Sequence, residues 1–406
     1  MSTQTVIVGG GVSSLRLAER LRRAGDEDPI TIVSAEQAIA YDRPPLSKSV
    51  LLDESAPRPD LTSTEELEAL GVRIVAGRRA RRLDRPGRSI ELETGEVVPY
   101  DDLVIATGST PRRLPALDAV DPHYLRTWDD ALALREAVHR CARVGVIGGG
   151  VLGLEIAATA QALSREVLVI DAAPHALARL GSHDLGRAVT DLHRGHGVHF
   201  RFDVTTESAV KHADGTITLN LSDGTEEIVD VLVVAIGAVP VTDWLDGSGL
   251  EGGDGVDTDA SCRTIDERIH AIGDVARIEY VPGGHRRLEH WTNAGDTAAV
   301  AARGILARRR GETRPELTEL PYVWSDQYDV KLQILGHIDA GSSLLSAVED
   351  PETGRWLRLA TRGHEVTGVV GWNMPAAVNR CRAALMAGIS VDELLRSTPW
   401  ERKARR

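Results

Sequence analysis

The chain has 406 residues, of which 42% are hydrophobic, enough for two or three globular domains with their own cores. Its formal net charge of −13 disfavours nucleic acid as a partner. It contains no apolar run long enough to span a membrane, and its first residues enter a strand without a signal-peptide pattern, so we expect a cytoplasmic protein.

The first predicted elements are a strand, a glycine turn, a helix and a second strand. Residues 6–8 are an apolar run typical of a buried parallel strand, and Gly9, Gly10 and Gly11 follow directly. The second apolar run, residues 30–33, leads to Glu36. This order is the dinucleotide-binding fingerprint, in which glycines permit the tight turn, the helix start faces a diphosphate, and the acid accepts from ribose hydroxyls.

A proline-rich segment follows the second strand. Pro44 and Pro45 predict an extended turn and exclude a helix at that point, and Ser47 and Lys48 come next. By composition the segment is typical of a solvent-exposed loop. The alternative is a rigid turn that holds Lys48 against a ligand.

Residues 61–70 predict a short helix, and residues 72–77 a strand. The arginine-rich stretch that follows, residues 78–98, alternates as a β-hairpin. Its arginines form either a solvated face, the favoured interpretation, or a docking patch for an acidic protein.

The strand–turn–helix pattern then occurs a second time. Residues 144–147 form an apolar run, followed by Gly148, Gly149 and Gly150, a helical segment, a strand and the acid Asp171. A strand that ends in glycine lies downstream of each turn, at residues 103–108 and 231–237. The repeat therefore predicts two nucleotide-binding units in one chain.

The remaining titratable residues give no metal or dithiol signature. Cys141, Cys262 and Cys381 are far apart and form no CxxC pair, so we expect ordinary buried thiols and neither a zinc site nor a redox dithiol. The scattered histidines 175, 183, 193, 196, 199 and 212 are predicted to be surface residues.

The last third of the chain closes the first unit and adds a third domain. The apolar segment 269–276 contains Gly273 and Asp274, and an acid at the end of a parallel strand is well placed to meet a nucleotide. From residue 320 the pattern changes to antiparallel strands with two helices, residues 376–387 and 391–395, and a charged tail that we expect to fray.

Two dinucleotides in one chain are usually a flavin and a nicotinamide. The first unit is predicted to bind the flavin because it has the additional Gly-Asp strand. Asp171 favours the free 2′-hydroxyl of NADH, since a 2′-phosphate would be repelled and no basic residue follows within three positions. Without a dithiol or an evident substrate pocket, the predicted acceptor is an external one-electron carrier.

The motifs VIVGGGVSS, YDRPPLSK, ATGSTPR, YLRTWDDA, VIGGGVLGLE, AIGDVA, EHWTNA and VWSDQYD occur in order over nearly the whole chain. In them the chain resembles the NADH-dependent ferredoxin reductases of Rieske oxygenase and bacterial cytochrome P450 systems. The resemblance implies an α/β fold with two Rossmann-like, glutathione-reductase-like domains and a C-terminal α+β domain. The expected division is an FAD domain of residues 1–110 and 240–319, an NAD domain of residues 111–239, and a ferredoxin-interaction or dimerisation domain of residues 320–406.

The resemblance also implies site residues. Lys48, Glu155 and Trp324 are the expected catalytic residues, with Lys48 beside the reactive ring edge, paired with Glu155, and Trp324 on the route to the partner. The expected FAD residues are Gly9, Gly11, Val12, Ser13, Ser14, Glu36, Lys48, Ala80, Arg126, Asp274, Glu289, His290 and Trp291. The expected NADH residues are Gly148, Gly150, Leu152, Gly153, Glu155 and Asp171.

The implied partner is an acidic [2Fe-2S] ferredoxin that feeds an oxygenase or cytochrome P450, with the reductase a monomer or homodimer. Because the chain is itself acidic, a basic face is expected locally, from the arginines between Arg78 and Arg88 or from Arg308 to Arg310. The alternatives are a rubredoxin reductase, an NADH oxidase or a peroxide- or disulfide-reducing flavoenzyme of the same fold, and a flavoprotein that signals or binds partners.

Overall fold

The computed structural model describes residues 3–250, 252–280, 284–339 and 341–401. The predicted fraying of the charged tail concerns residues 402–406, which lie outside the described residues. Within the described ranges, no helix combines the length and the apolar character needed to cross a membrane.

The α-helices of the described chain are α1 Val12–Arg23, α2 Ser49–Leu52, α3 Thr64–Ala69, α4 Trp128–Arg140, α5 Val151–Ala162, α6 His183–Gly195, α7 Trp291–Arg310, α8 Pro375–Met386 and α9 Val391–Ser397. Its strands are β1 Thr5–Val8, β2 Ile30–Val33, β3 Val72–Val75, β4 Ala80–Asp84, β5 Ser89–Leu92, β6 Val97–Pro99, β7 Asp102–Ile105, β8 Ser109–Pro111, β9 Arg143–Ile147, β10 Glu166–Ile170, β11 His199–Arg201, β12 Thr206–Lys211, β13 Ile217–Leu221, β14 Glu226–Val229, β15 Val231–Val234, β16 Ala238–Pro240, β17 Val256–Thr258, β18 Ile269–Ala271, β19 Ala276–Tyr280, β20 Gly284–Arg287, β21 Tyr322–Gln327, β22 Val330–Gly336, β23 Ser343–Asp350, β24 Arg355–Arg362 and β25 Glu365–Trp372.

The chain divides into two compact units. The first contains the chain up to Arg43, Arg58–Thr110 and Ala238–Glu319, and the second contains Pro44–Pro57, Pro111–Gly237 and the chain from Leu320 onward. The expected division into three functional domains stays a prediction.

The first unit is built on a parallel five-stranded sheet. Its strand order is β18-β7-β1-β2-β3, so the chain's first strand lies at the centre. Every residue of β1 is buried, because a parallel strand covered on both faces has no solvent side. The helices α1 and α7 pack together in this unit, and the three-stranded β4-β5-β6 sheet shares its core.

The second unit contains a parallel sheet and an antiparallel sheet. The parallel sheet has the order β11-β10-β9-β15, and α5 follows β9 as in a dinucleotide-binding unit. The antiparallel sheet has the order β21-β22-β25-β24-β23, with α8 packed on it. Helix α5 also contacts β21, which brings these two parts of the unit together. The predicted α/β fold is thus confirmed.

Two local predictions were wrong. Pro44 and Pro45 do not form an extended turn; they begin a 3₁₀ turn, Pro44–Ser47, that leads into α2. Proline is tolerated there because the first N–H groups of a helix lack intrahelical partners in any case. His193 is not a surface residue but fully buried, because it continues the inward face of α6 formed by Leu185 and Val189 at four-residue spacing.

Candidate functional site

The first glycine turn lies between β1 and α1. Gly9 has φ +128°, and a Cβ there would lie 2.0 Å from the carbonyl oxygen of Ala106, so only glycine fits. Gly11 precedes α1 and supplies no side-chain cap, and a Cβ on it would meet no described atom within 4 Å. The helix start therefore faces open space, as a diphosphate site requires.

The residues at the start of α1 are tightly packed. Ser13 and Ser14 are buried, whereas Val12 is partly exposed. The Ser14 hydroxyl makes no hydrogen bond to any described residue. The start of α1 therefore accommodates a serine side chain at position 14.

The acid after β2 is held in place by two neighbours. Tyr41 donates to Glu36 Oε2 at 2.5 Å, and Arg43 donates to Oε1 at 2.8 Å. The Glu36 side chain is still 34% exposed, so it remains open to a ligand hydroxyl. Ala80 begins β4 and is buried.

The far end of the same sheet contributes a second acid. Asp274 follows β18 in a 3₁₀ turn, where it accepts from the Ser109 hydroxyl at 3.2 Å. Because carboxyl ends of parallel strands meet at one sheet edge, Asp274 and the glycine turn share that edge.

The start of α7 carries the three residues predicted from EHWTNA. Glu289 accepts from Arg287 at 2.5 Å, His290 precedes the first helical residue, and Trp291 donates to Asp42 Oδ1 at 2.7 Å. Trp291 is 36% exposed, so part of its indole is available for contact.

The second glycine turn lies between β9 and α5 and repeats the geometry of the first. Gly148 has φ +112°, and a Cβ there would lie 2.4 Å from the carbonyl oxygen of Ala235. A Cβ on Gly153 would lie 2.0 Å from the Gly148 carbonyl oxygen, so α5 packs directly on the turn. Gly150 gives the helix start no side-chain cap, and Leu152 is 37% exposed beside it.

The acid after β10 supports this turn. Asp171 Oδ2 accepts from the Gly149 N–H at 2.6 Å, and Oδ1 accepts from the Ala173 N–H at 2.8 Å. Asp171 therefore fixes the backbone of the turn in addition to any contact with a ribose.

Lys48 and Glu155 form an ion pair in the second unit. Lys48 Nζ lies 2.8 Å from Glu155 Oε1, and the two side chains are 22% and 7% exposed. Glu155 lies on α5, one turn after the glycine turn, and also accepts from the Ser47 hydroxyl at 2.7 Å. The proline turn presents Lys48 and Ser47 together, and Lys48 is further held by the Pro44 carbonyl at 3.3 Å.

Arg126 and Trp324 lie elsewhere in this unit. The Arg126 N–H donates to Asp130 Oδ2 at 3.0 Å, just before α4. Trp324 lies on β21, half-buried, with its ring stacked on Tyr322 at 6.0 Å. The roles expected for both stay predictions.

The expected basic patch Arg308 to Arg310 consists largely of arginines that form ion pairs within the protein. Arg308 and Arg309 both donate to the fully buried Asp102, and Arg309 also reaches Asp26 at 3.2 Å. They are 18% and 13% exposed, so of this trio Arg310 is the exposed side chain.

The arginine-rich hairpin carries long, exposed ion pairs. Arg79 pairs with Glu93 at 3.5 Å and Arg81 with Glu91 at 3.6 Å. Such pairs contribute little to stability and leave the side chains free to rearrange.

The family model described as pyridine nucleotide-disulphide oxidoreductase matches residues 3–298, and the model described as reductase C-terminal matches residues 322–396. The chain belongs to the pyridine nucleotide-disulphide oxidoreductase family. It is 35% identical over 95% of both chains to the ferredoxin–NAD(+) reductase component of an anthranilate 1,2-dioxygenase system from Burkholderia cepacia. It is 34% identical to rhodocoxin reductase from Rhodococcus erythropolis, over 91% of this chain and 86% of that one.

Solved structures of other reductases and of an oxidase have the same fold as this chain. A ferredoxin reductase for the CYP199A2 system from Rhodopseudomonas palustris has a TM-score of 0.90 and 31% identity, with 96% of each chain covered. Putidaredoxin reductase in its covalent complex with putidaredoxin has a TM-score of 0.88 and 28% identity, covering 97% of this chain and 95% of that one. A water-forming NADH oxidase from Lactobacillus brevis shares the fold at a TM-score of 0.85 and 20% identity, covering 97% of this chain and 92% of that one.

The family name refers to a disulphide, but the cysteines of this oxidoreductase are not placed for one. All three are free and buried. Burial raises the pKa of the Cys141 and Cys262 thiols, and raises that of Cys381 to about 11. A thiolate nucleophile is therefore disfavoured at each position.

In the described ranges, no cluster of three or more histidine, cysteine or acidic side chains is suited to a metal ion.

Sequence reasoning missed three buried polar residues of this oxidoreductase. Ser325 donates to Glu155 Oε1 at 2.6 Å, Gln327 donates to Ser325 at 3.0 Å, and His193 lies 2.8 Å from Gln327 Oε1. The available signal was the alternation in β21, which places Ser325 and Gln327 on one face of the strand. Both face inward, where a serine and a glutamine need partners.

Proposed function

We propose that the chain is an FAD-dependent ferredoxin reductase, which takes electrons from NADH and passes them one at a time to a [2Fe-2S] ferredoxin. That ferredoxin would feed an oxygenase or a cytochrome P450. One observation carries the proposal: two glycine turns of the same geometry, each followed by an acid, in a chain 35% identical to a ferredoxin–NAD(+) reductase component. Rhodocoxin reductase and putidaredoxin reductase, named above, support the same class of acceptor.

The residues of the first unit fit FAD. The uncapped start of α1 would face the diphosphate, with Gly9, Gly11 and the small residues Ser13 and Ser14 permitting close approach. Glu36, already oriented by two donors, would accept from the adenosine ribose. The remaining FAD contacts proposed in this unit are Val12, Ala80, Asp274, Glu289, His290 and Trp291. Arg126, which belongs to the second unit, is proposed as a further FAD contact.

When bound, FAD supplies the conversion between the hydride of NADH and single electrons. The balance is one NADH and two oxidised ferredoxins giving NAD⁺, one proton and two reduced ferredoxins. No general acid or base is needed to transfer the hydride, so the protein's contribution is positioning.

The second unit would hold NADH. The start of α5 would face its diphosphate across Gly148 and Gly150, with Leu152 and Gly153 beside it. Asp171 would accept from the ribose while repelling a 2′-phosphate, which supports NADH over NADPH.

Lys48 would lie beside the flavin ring, where its charge favours the reduced cofactor. Glu155 would hold that ammonium group through the 2.8 Å ion pair. Trp324 would lie on the route to the ferredoxin. We also propose the cytoplasm as the location, and a monomer or homodimer as the assembly.

The alternatives differ in what they require. An NADH oxidase or disulfide-reducing enzyme of this fold needs a reactive cysteine close behind the first acid, and residues 41–50 contain none. The buried, raised-pKa thiols support the same exclusion. A rubredoxin reductase is the second candidate, since its carrier also takes single electrons.

The test is NADH-dependent reduction of cytochrome c by the purified flavoprotein, with and without added carrier protein. We expect the rate to rise at least tenfold with a [2Fe-2S] ferredoxin and to stay low with a rubredoxin. A rate independent of added carrier would refute the proposal, and a response to rubredoxin alone would favour the second candidate. A colourless, folded protein that does not take up FAD would refute both.

A further inference from the structure

A continuous series of hydrogen bonds links Tyr328 to the carboxylate of Glu155 within the second unit. Tyr328 OH lies 3.1 Å from His193 Nδ1, and His193 Nε2 lies 2.8 Å from Gln327 Oε1. Gln327 Nε2 donates to Ser325 Oγ at 3.0 Å, and the Ser325 hydroxyl donates to Glu155 Oε1 at 2.6 Å. We call the four residues Tyr328, His193, Gln327 and Ser325 the donor chain.

Every hydrogen bond of the donor chain has a defined direction. An ion-paired carboxylate only accepts, so the single hydroxyl proton of Ser325 must point to Glu155. Ser325 Oγ then accepts from the Gln327 amide nitrogen, and this turns Gln327 Oε1 toward His193. His193 Nε2 must therefore carry its proton, and Nδ1 accepts from the Tyr328 hydroxyl. All donors point toward Glu155.

Burial keeps the donor chain from rearranging. Ser325, Gln327 and His193 are 2%, 3% and 0% exposed, so little water can replace a lost partner. Burial also lowers the pKa of His193 to about 4, although its hydrogen bond with Gln327 opposes the shift. The imidazole is therefore neutral at physiological pH, with one donor and one acceptor nitrogen, as the series requires.

The outer end of the donor chain is held by a strained turn. Tyr328 has φ +55°, a conformation uncommon for a bulky residue. Its ring stacks on His196 at 3.7 Å and meets His193 edge-on at 5.1 Å. Such a conformation persists when its surroundings fix it, and here they aim the hydroxyl at His193.

We propose that Ser325, Gln327 and His193 are positioning residues, which fix the Glu155 carboxylate and, through its ion pair, the place of Lys48 Nζ. The functional part of this inference rests on the proposed function, in which Lys48 lies beside the flavin. Ser47 holds the other carboxylate oxygen, and Thr159 in turn bonds the Ser47 carbonyl at 2.7 Å. Without the donor chain, Lys48 is the one partner that Oε1 keeps among the described residues, and the carboxylate can rotate about the Ser47 contact.

The first experiment reads the donor chain directly and needs no turnover. The holoenzyme is labelled with ¹⁵N-histidine, and the His193 resonances are assigned by their absence in His193→Gln. We expect one neutral tautomer with the proton on Nε2. Tyr328→Phe, which removes the hydroxyl that donates to Nδ1, should keep this tautomer, because Gln327 Oε1 still accepts from Nε2. Ser325→Ala frees the Gln327 amide to turn over and should give a mixture of tautomers. A proton on Nδ1 in the wild-type protein would overturn the assigned direction.

The second experiment measures the flavin midpoint potential and the single-turnover rate of flavin reduction by NADH. Lys48→Met should shift the potential negative and slow reduction. Ser325→Ala should change both in the same direction, with reduction slowed about tenfold. In the Lys48→Met background, Ser325→Ala should add nothing, because it acts through Lys48. Full additivity of the two substitutions would overturn the inference.

Two controls separate positioning from general damage. Thr190 lies on the same helix as His193, and among the described residues its buried hydroxyl bonds to Gly186 of that helix. Thr190→Val should therefore leave both measurements within twofold. Ser325→Thr keeps the donor and should restore most of the rate. If Lys48→Met alone has no effect, the proposed role of Lys48 fails while the tautomer result stands. If Lys48→Met acts but Ser325→Ala does not, only the positioning inference fails.

Discussion

The second glycine turn offers a sharp test of which part of the chain binds NADH, through Gly148→Ala. The Cβ of alanine would lie 2.4 Å from the Ala235 carbonyl oxygen, whereas ordinary contact begins at 3.4 Å. The turn must therefore move by about 1 Å, and the φ of +112° adds roughly 1–3 kcal/mol of backbone strain. The same substitution at Gly195, the last residue of α6, meets no described atom within 4 Å and serves as the control.

A displacement of about 1 Å at a binding turn costs on the order of 100-fold in reaction rate. We expect kcat/KM for NADH to fall by about that factor in Gly148→Ala, with ferricyanide as the acceptor so that no ferredoxin is needed. The FAD content, measured by absorbance, should stay at the wild-type level, because the proposed FAD residues around Gly9 belong to the first unit.

Two results would refute this reasoning. A value of kcat/KM within threefold of Gly195→Ala would mean that the turn does not hold NADH. A folded but colourless Gly148→Ala protein would mean that this turn holds FAD, and the two assignments would have to be exchanged.

Three further predictions concern single side chains. Asp102→Asn should lower the free energy of unfolding by about 1.5–3 kcal/mol, measured in denaturant with FAD bound, because the buried carboxylate that accepts from Arg308 and Arg309 is lost while Arg309 keeps Asp26; an unchanged stability would contradict this. Burial lowers the pKa of His270 to about 3 from 6.5. Between pH 3 and pH 6.5 the imidazole is therefore protonated in the unfolded chain and neutral in the folded one, and the free energy of unfolding falls as the pH drops below 6.5. His270→Leu should therefore gain about 2 kcal/mol on wild type between pH 7.5 and pH 5, and an unchanged difference would refute the argument. Asp171→Asn, which keeps an oxygen for the Gly149 N–H, should lower the preference for NADH over NADPH at least tenfold in kcat/KM, whereas an unchanged ratio would remove Asp171 from cofactor selection.

The parts of the fold that the sequence predicted are those set by neighbouring residues. A glycine such as Gly9 or Gly148 is required by the backbone angle of its own turn, and the flanking apolar runs are read directly from their spacing. Each element of the fingerprint lies within about thirty residues of the next, so its pattern is visible without knowing the tertiary structure.

The donor chain could not be predicted in this way. It joins Glu155, His193 and Ser325, which are far apart in sequence, and each residue alone has an ordinary structural interpretation. Helical periodicity through Leu185 and Val189 does place His193 on the inner face, so its burial could have been inferred. Its partner on β21 could not, since that contact depends on how α6 packs against the antiparallel sheet.

The two glycine turns differ at the position three residues after their last glycine, which is Ser14 in the first unit and Gly153 in the second. This difference indicates that the two turns are not interchangeable. A Cβ on Gly153 would lie 2.0 Å from the Gly148 carbonyl oxygen, so α5 lies against its turn with no room for a side chain. Ser14 occupies the equivalent position in the first unit with its side chain fully buried, so the first turn has room for a side chain where the second has none. Its hydroxyl, which has no partner among the described residues, is a costly group to bury unless something accepts its hydrogen bond. A diphosphate at the start of α1 would remove that cost, and this makes the first turn, rather than the second, the one suited to a cofactor that stays bound.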